Sequence, residues 1–364
     1  MKNLILVFGG RSVEHDISIL TAISFSSNYM GENKLASLYI DKEGKWFFCD
    51  KRLDKNMFKN GTPKEFVPVT LFEGDNYLYT KTMFGYKKVY KIDAVINCCH
   101  GGEGERGELN YVFSRSGIAI SSGSSLGLAI SMNKAIAKVV FKANNIPSPE
   151  YVCIEKTERL EERLGEIERL KYPLIVKPNS LGSSIGVKKV KNRKELIQAI
   201  NVAFEFDRFV IIEKLVENLR EFNCAVILGA GEELVSRVDE PVTAGEVFSF
   251  SDKYLQKPIK GKTKMGQKHA ENLPEKLETE IKQLSLKTVK ALDLYGVVRV
   301  DYLYDTKHKK LYCNEVNSVP GSLAYFLFDK MTQTKLVDKL AIIAESEKQR
   351  TVNIKKEYIT NIFN

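Results

Sequence analysis

The strongest constraint on how this chain can fold is a pattern that occurs twice: a short, largely apolar run that leads into a pair of glycines. Leu4 to Phe8 ends at Gly9-Gly10, and Ala94 to Cys99 ends at His100-Gly101-Gly102. Runs like these, without regular polar alternation, must be buried on both faces, which is how the strands of a parallel sheet read. Ile17 to Met30 follows the first run with helical spacing. Strands alternating with helices predict an α/β unit whose ligands gather at the strand C-terminal ends, where both glycine turns fall. Trp46 to Tyr90 reads as an insertion of short strands and turns.

At 364 residues the chain is long enough for two or three domains. A hydrophobic share of 43% and a charged share of 28% exclude disorder. Leu4 to Phe8 is too short for a signal-peptide core or a membrane span, so a soluble, cytoplasmic protein with no membrane partner is expected. The six cysteines are scattered, without a CxxC pair, and read as reduced core thiols. Much of the net charge of +9 lies in Lys257 to Lys268 and Lys348 to Lys356. Neither run carries interleaved aromatics or a zinc-finger pattern, which argues against nucleic acid and for a basic loop facing a phosphorylated small molecule.

A boundary falls near Ser121 to Ser125. Beyond it, Ser131-Met132-Asn133-Lys134 opens a helix that runs to about Asn144. Helices are expected over Glu155 to Leu170 and Lys194 to Phe204, and strands over Tyr172 to Lys177, Gly186 to Val190 and Phe209 to Lys214, which together make a small α+β lobe. Strands at Phe222 to Leu228 and Leu234 to Val238, a long basic loop, a helix near Pro274 to Leu292, a hairpin and a helix near Thr334 to Glu347 complete the chain.

The hairpin holds the densest chemistry. Val297 to Tyr304 and Lys310 to Val316 pair about residue 308, which sets Asp301 opposite Glu315. Residues two apart on a strand share a face, so Arg299, Asp301, Glu315 and Asn317 project to one side. Such hard oxygen donors suit Mg²⁺ bridging nucleotide phosphates. The alternative, an ion pair of Arg299 on an exposed ribbon, fits poorly with the apolar neighbours Val298, Val300 and Val316.

Lys177 ends an apolar strand and is followed by the loop Pro178 to Val187, which is rich in glycine and serine. A lysine and loop N–H groups together can hold a polyphosphate. No GxxxxGK[ST] loop occurs. Gly102 to Gly107 matches GxGxxG, but its carboxylates Glu103 and Glu105 would repel pyrophosphate, and no acidic residue about 20 positions on could hold a ribose. The two glycine turns instead suit closure around a small polar substrate. His100 is open to three readings: a base, a substrate contact or a satisfied core histidine. No spacing of histidine and cysteine matches a zinc site.

Eight motifs, in order, resemble the ATP-grasp D-alanine–D-alanine ligases: GGRSVEHDIS at 9–18, HGGEGERGEL at 100–109, SMNK at 131–134, VKPNSLGSSIGV at 176–187, EK at 213–214, KY at 253–254, RVD at 299–301 and NEVNSVPGS at 314–322. The resemblance implies an ATP-grasp fold of three lobes: an N-terminal parallel-sheet substrate domain over 1–122, a central lobe over 123–212, and a C-terminal lobe over 213–364 with the metal site and a lid loop. It also implies an activity in which ATP converts one D-alanine to an acyl phosphate and the amine of a second D-alanine attacks it, for peptidoglycan synthesis.

By the same resemblance Lys134 and Lys177 would hold nucleotide phosphates, Glu213, Lys214 and Glu221 would bind the adenine and ribose, and Ser184 and Lys253 would also bind the nucleotide. Asp301, Glu315 and Asn317 would hold two Mg²⁺, with Mn²⁺ as a substitute. Arg299 and the Gly321 N–H would stabilise the oxyanion. Glu14 would bind the ammonium of the first amino acid, linked through Ser183 to Tyr254, while His100 and Ser322 would contact substrate. A homodimer is implied too. Four residues depart from the family, and the Glu213 to Glu221 spacing is one residue longer than is usual in it. Asn133 replaces the usual aspartate, Asn110-Tyr111 replaces a smaller, more polar pair, and Phe326 stands where a serine is expected to receive the second substrate. The last leaves a different amino acid or a hydroxy acid as an alternative second substrate.

Overall fold

The computed structural model describes residues 1–59, 61–241, 267–270 and 272–352. An eight-stranded sheet comes first, in the order β6-β5-β4-β3-β2-β1-β7-β8: β1 is Asn3–Gly9, β2 Lys34–Ile40, β3 Trp46–Cys49, β4 Val67–Leu71, β5 Tyr77–Thr82, β6 Gly85–Lys91, β7 Ala94–Asn97 and β8 Ala119–Ile120. β2, β1, β7 and β8 are parallel neighbours, as the buried runs predict. Alternation along β1 shows why that run is continuously apolar. Leu4, Leu6 and Phe8 enter one core with Phe25, while Ile5 and Val7 enter another with Phe113. The Trp46 to Tyr90 segment supplies β3 to β6, which extend this sheet in antiparallel fashion.

The second sheet is antiparallel, ordered β11-β10-β12-β9, with β9 at Tyr151–Glu155, β10 at Leu174–Pro178, β11 at Lys188–Val190 and β12 at Phe209–Lys214. β9 ends at Glu155, where the helix expected over Glu155 to Leu170 was to begin. Within that span only Leu160–Glu168 is helical, after β9, in which Val152 and Ile154 alternate inward. The third sheet runs β15-β14-β13-β16-β17, with β13 at Leu219–Gly229, β14 at Glu232–Pro241, β15 at Gln267–His269, β16 at Gly296–Asp305 and β17 at Lys310–Asn317. Its core takes Leu128 and Phe141 from the helices Ser125–Met132 and Lys134–Ala143.

The helix Gln333–Val352 returns to the first sheet, burying Leu336, Val337 and Leu340 with Leu4 and Leu6. The mixed α/β architecture expected from the sequence is present. Among the described residues no helix is long and apolar enough to cross a membrane.

Candidate active site

The first glycine turn aims Glu14. Gly9 has φ +91°, and a Cβ there would sit 2.1 Å from the Ile40 carbonyl oxygen, so this close approach to β2 requires glycine. The second turn faces the first: at Gly101, φ +63°, a Cβ would meet Ser12 Oγ at 2.6 Å and Glu14 Oε2 at 2.9 Å. Glu14 is buried beneath them, and its Oε1 accepts a hydrogen bond from the Ser183 hydroxyl.

The carboxylates of the GxGxxG segment have structural partners. Glu103 pairs with Arg11, whose Nε donates to its Oε2 at 3.1 Å. Glu105 Oε2 accepts from the Gly101 N–H at 2.8 Å, and its Oε1 accepts from the Val319 N–H at 2.8 Å and the Ser318 hydroxyl at 3.3 Å. Burial and the nearby Glu14 charge raise the Glu105 carboxyl to about 7.

His100 is 3% exposed, with both ring nitrogens engaged. Nδ1 lies 2.7 Å from the Val319 carbonyl oxygen and must donate to it, leaving Nε2, 2.8 Å from Thr21 Oγ1, to accept the threonine proton. The Ser322 N–H donates to that same Thr21 oxygen at 3.3 Å. Burial pushes the His100 pKa down, which matches a neutral ring that ties the second glycine turn to residues 319–322. Those residues carry local strain, since Ser322, Leu323 and Ala324 all lie in the left-handed region with φ of 52°, 47° and 47°. Gly321 opens this turn, and a Cβ there would meet nothing within 4 Å. Phe326 packs against the first core beside Tyr325.

A second cluster lines a cleft between the second and third sheets. Lys134, Lys177, Ser184, Glu213, Lys214, Glu221, Asp301 and Glu315 all face it. Asn133 caps the helix that carries Lys134, its Oδ1 accepting from the Ile136 N–H at 3.0 Å. Asparagine and aspartate are comparable caps, so this departure leaves the helix start intact. Asn110 is buried, and its amide donates to the Gly123 carbonyl at 2.8 Å.

Lys134 Nζ donates to the Leu181 carbonyl at 2.6 Å and stands 3.9 Å from Glu315 Oε2. Burial pushes its pKa down, although the Glu315 charge opposes this. Lys177 Nζ is 2.9 Å from Glu213 Oε2 and donates to Asn314 Oδ1 at 3.3 Å. Glu213 also meets Lys138, whose Nζ is 3.1 Å from its Oε1. Burial alone would raise the Glu213 carboxyl, but Lys138 and Lys177 together outweigh it and hold the group at about 2.

β16 and β17 pair Asp301 with Glu315 and Arg299 with Asn317, as expected. Arg299 Nε and Nη2 donate to the two Asp301 oxygens at 2.7 and 2.8 Å, and the Asn317 amide donates to Asp301 Oδ2 at 3.0 Å. The ion pair posed as an alternative is therefore present, but in a partly buried setting beside the cleft. Among the described residues no cluster of three or more His, Cys, Asp or Glu side chains forms. The oxygen donors here are two carboxylates and one amide, a set that suits Mg²⁺ or Mn²⁺ and excludes soft metals. Lys253 and Tyr254, with nearly all of the basic loop, lie outside the described residues.

Sequence reasoning missed Thr21, Glu105, Lys138 and Asn314. Thr21, Glu105 and Lys138 all act through contacts distant in sequence, to His100, Val319 and Glu213.

Two family profiles match the chain: D-ala D-ala ligase N-terminus over residues 3–123 and D-ala D-ala ligase C-terminus over residues 140–345. The D-alanine–D-alanine ligase of Thermosipho africanus is 34% identical over 355 residues, covering 94% of this chain and 93% of that protein. Among solved structures, the D-alanine-D-alanine ligase from Coxiella burnetii superposes with a TM-score of 0.80 at 23% identity, covering 97% of this chain and 96% of that one, a likeness of fold alone. The VanG D-Ala:D-Ser ligase from Enterococcus faecalis superposes with a TM-score of 0.77 at 28% identity, covering 93% of this chain and 98% of that one.

Proposed function

This chain belongs to the D-alanine–D-alanine ligase family, and we propose that its two clusters divide the work of one ATP-dependent ligation between them. The enzyme joins two D-alanines to D-alanyl-D-alanine, consuming ATP and releasing ADP and phosphate. The curated relatives carry that activity in their names, so a different second substrate is not favoured despite Phe326. The observation that supports the division of labour best is the Ser183 to Glu14 hydrogen bond, because it joins the cleft loop to the glycine turns.

The nucleotide belongs in the cleft, where Lys134, Lys177, Ser184 and Lys253 would contact phosphates and Glu213, Lys214 and Glu221 the adenosine. Asp301, Glu315 and Asn317 would hold Mg²⁺, or Mn²⁺ in its place, as two ions. Such an ion, when bound, offsets charge on the transferring phosphoryl group. Glu14 binds the ammonium of the first D-alanine, whose carboxylate takes the phosphoryl group. Arg299 and the Gly321 N–H then face the oxyanion formed when the second amine attacks, and one such donor is worth on the order of 3 kcal/mol of barrier. Ser322 contacts the second substrate. His100 orients that turn through Thr21 and Val319. Tyr254 would extend the Glu14 to Ser183 link on a lid that excludes water from the acyl phosphate. A cytoplasmic homodimer working in peptidoglycan synthesis completes the proposal.

Hydroxylamine trapping tests the chemistry. With ATP, Mg²⁺ and D-alanine, the acyl phosphate should be intercepted as D-alanine hydroxamate; ADP release without hydroxamate would contradict an acyl-phosphate route.

A further inference from the structure

Glu213 is gripped from two sides, and only one of the two lysines faces the cleft. Lys177 lines the cleft, whereas Lys138 approaches from the helix Lys134–Ala143 with a side chain 1% exposed. Lys138 Nζ stands 3.1 Å from Glu213 Oε1, and neither atom has another hydrogen-bond partner. Burying a second cation is costly when Lys177 at 2.9 Å already neutralises the carboxylate. A second cation has a use if the first one leaves.

We propose that Lys138 is the standing counter-ion of Glu213, keeping this buried carboxylate ionised while Lys177 turns its ammonium from Glu213 to a nucleotide phosphate. The proposal rests on the nucleotide reading of the cleft. Lys177 sits at the end of β10, its Nζ shared between Glu213 and Asn314, so a phosphate carrying full negative charge competes directly for it. Without Lys138, that exchange would strand a buried carboxylate, which would take up a proton and lose the acceptor strength needed to hold an amino group of the base. Lys138 is thus a positioning residue that touches no substrate.

The groups around Glu213 are few. Lys138 and Lys177 face it, Tyr151 opposes it in the β9–β12 register, and Lys134 acts on it from one turn back along the Lys138 helix. Cys313 of β17 lies near Lys138 with its thiol raised to about 12 by burial, so it stays neutral below that range.

Calorimetric binding of a non-hydrolysable ATP analogue with Mg²⁺, at about pH 6.5 and pH 8.5, tests this with Lys138→Met and Lys138→Arg. Lys138→Met should bind about tenfold or more weakly at the lower pH and recover at the higher one, while Lys138→Arg stays within about threefold of the parent. In steady-state assays the Lys138→Met defect should fall on KM for ATP, with kcat at saturating ATP nearly kept. Should Lys138→Met not fold, Lys138→Gln carries the same test. Lys138→Met binding within twofold of the parent at both pH values, an equal loss at both, or Lys138→Arg as impaired as Lys138→Met overturns the proposal. Failure of the parent protein to bind the analogue instead overturns the nucleotide assignment, and this proposal with it.

Discussion

Ser183 donates its hydroxyl to the Glu14 carboxylate across 169 residues of sequence, which makes it the side-chain contact that ties the loop after β10 to the first glycine turn. A hydrogen bond to a charged partner contributes about 1.5–3 kcal/mol. Ser183→Ala is therefore expected to raise KM for the first D-alanine by about tenfold or more, by the same arithmetic. Substrate titration at saturating ATP checks this, and an unchanged KM would show that Glu14 needs no such support.

Thr21 relays between His100 and the backbone of Ser322. Thr21→Val keeps the shape and removes both bonds, so kcat/KM for the second D-alanine should fall by about tenfold. Circular dichroism and a thermal melt would separate this effect from unfolding. Parent-like kinetics would remove His100 and Thr21 from the account of the second pocket.

The Glu213 carboxyl lies at about 2 in the fold against an ordinary 4.5. A depressed acid stabilises the fold fully above its ordinary value, and that stability is lost as pH falls toward 2. The full contribution is about 3 kcal/mol, of which about 2 kcal/mol should vanish between pH 6 and pH 3. Urea unfolding of the parent and Glu213→Gln at both pH values should show the gap between them narrowing by that amount. A gap independent of pH would contradict the paired, ionised state of Glu213.

Asp301→Asn and Glu315→Gln should each slow ADP release by about 10³-fold or more, because each removes a carboxylate from the candidate ion site. Asp301→Asn also deprives Arg299 of its partner, so the melt should be recorded beside the rate. A folded variant with rates within tenfold of the parent would move the ion site elsewhere.

Much of this was legible in the sequence because it rests on local pattern. The runs Leu4 to Phe8 and Ala94 to Cys99 announced the parallel sheet, and the hairpin placed Asp301 opposite Glu315. The means of that pairing was hidden. Near the turn the ladder pairs Asp305 with Lys310, and the same register carried inward would set Asn314 against Asp301. A bulge instead passes over Asn314, turning its side chain to Lys177 and bringing Glu315 opposite Asp301. Lys138 was illegible for a different reason, since a lysine on an amphipathic helix ordinarily reads as solvated and only the tertiary fold brings it to Glu213. Tyr254 and Lys253 lie outside the described residues, so their expected roles stand on the resemblance alone.

The most direct test of the central claim is to incubate the purified protein with ATP, Mg²⁺ and D-alanine and to identify the product by mass spectrometry while following ADP. The account predicts D-alanyl-D-alanine formed in equal number with ADP, and none from L-alanine. ADP released without dipeptide, or no ADP release at all, would contradict it.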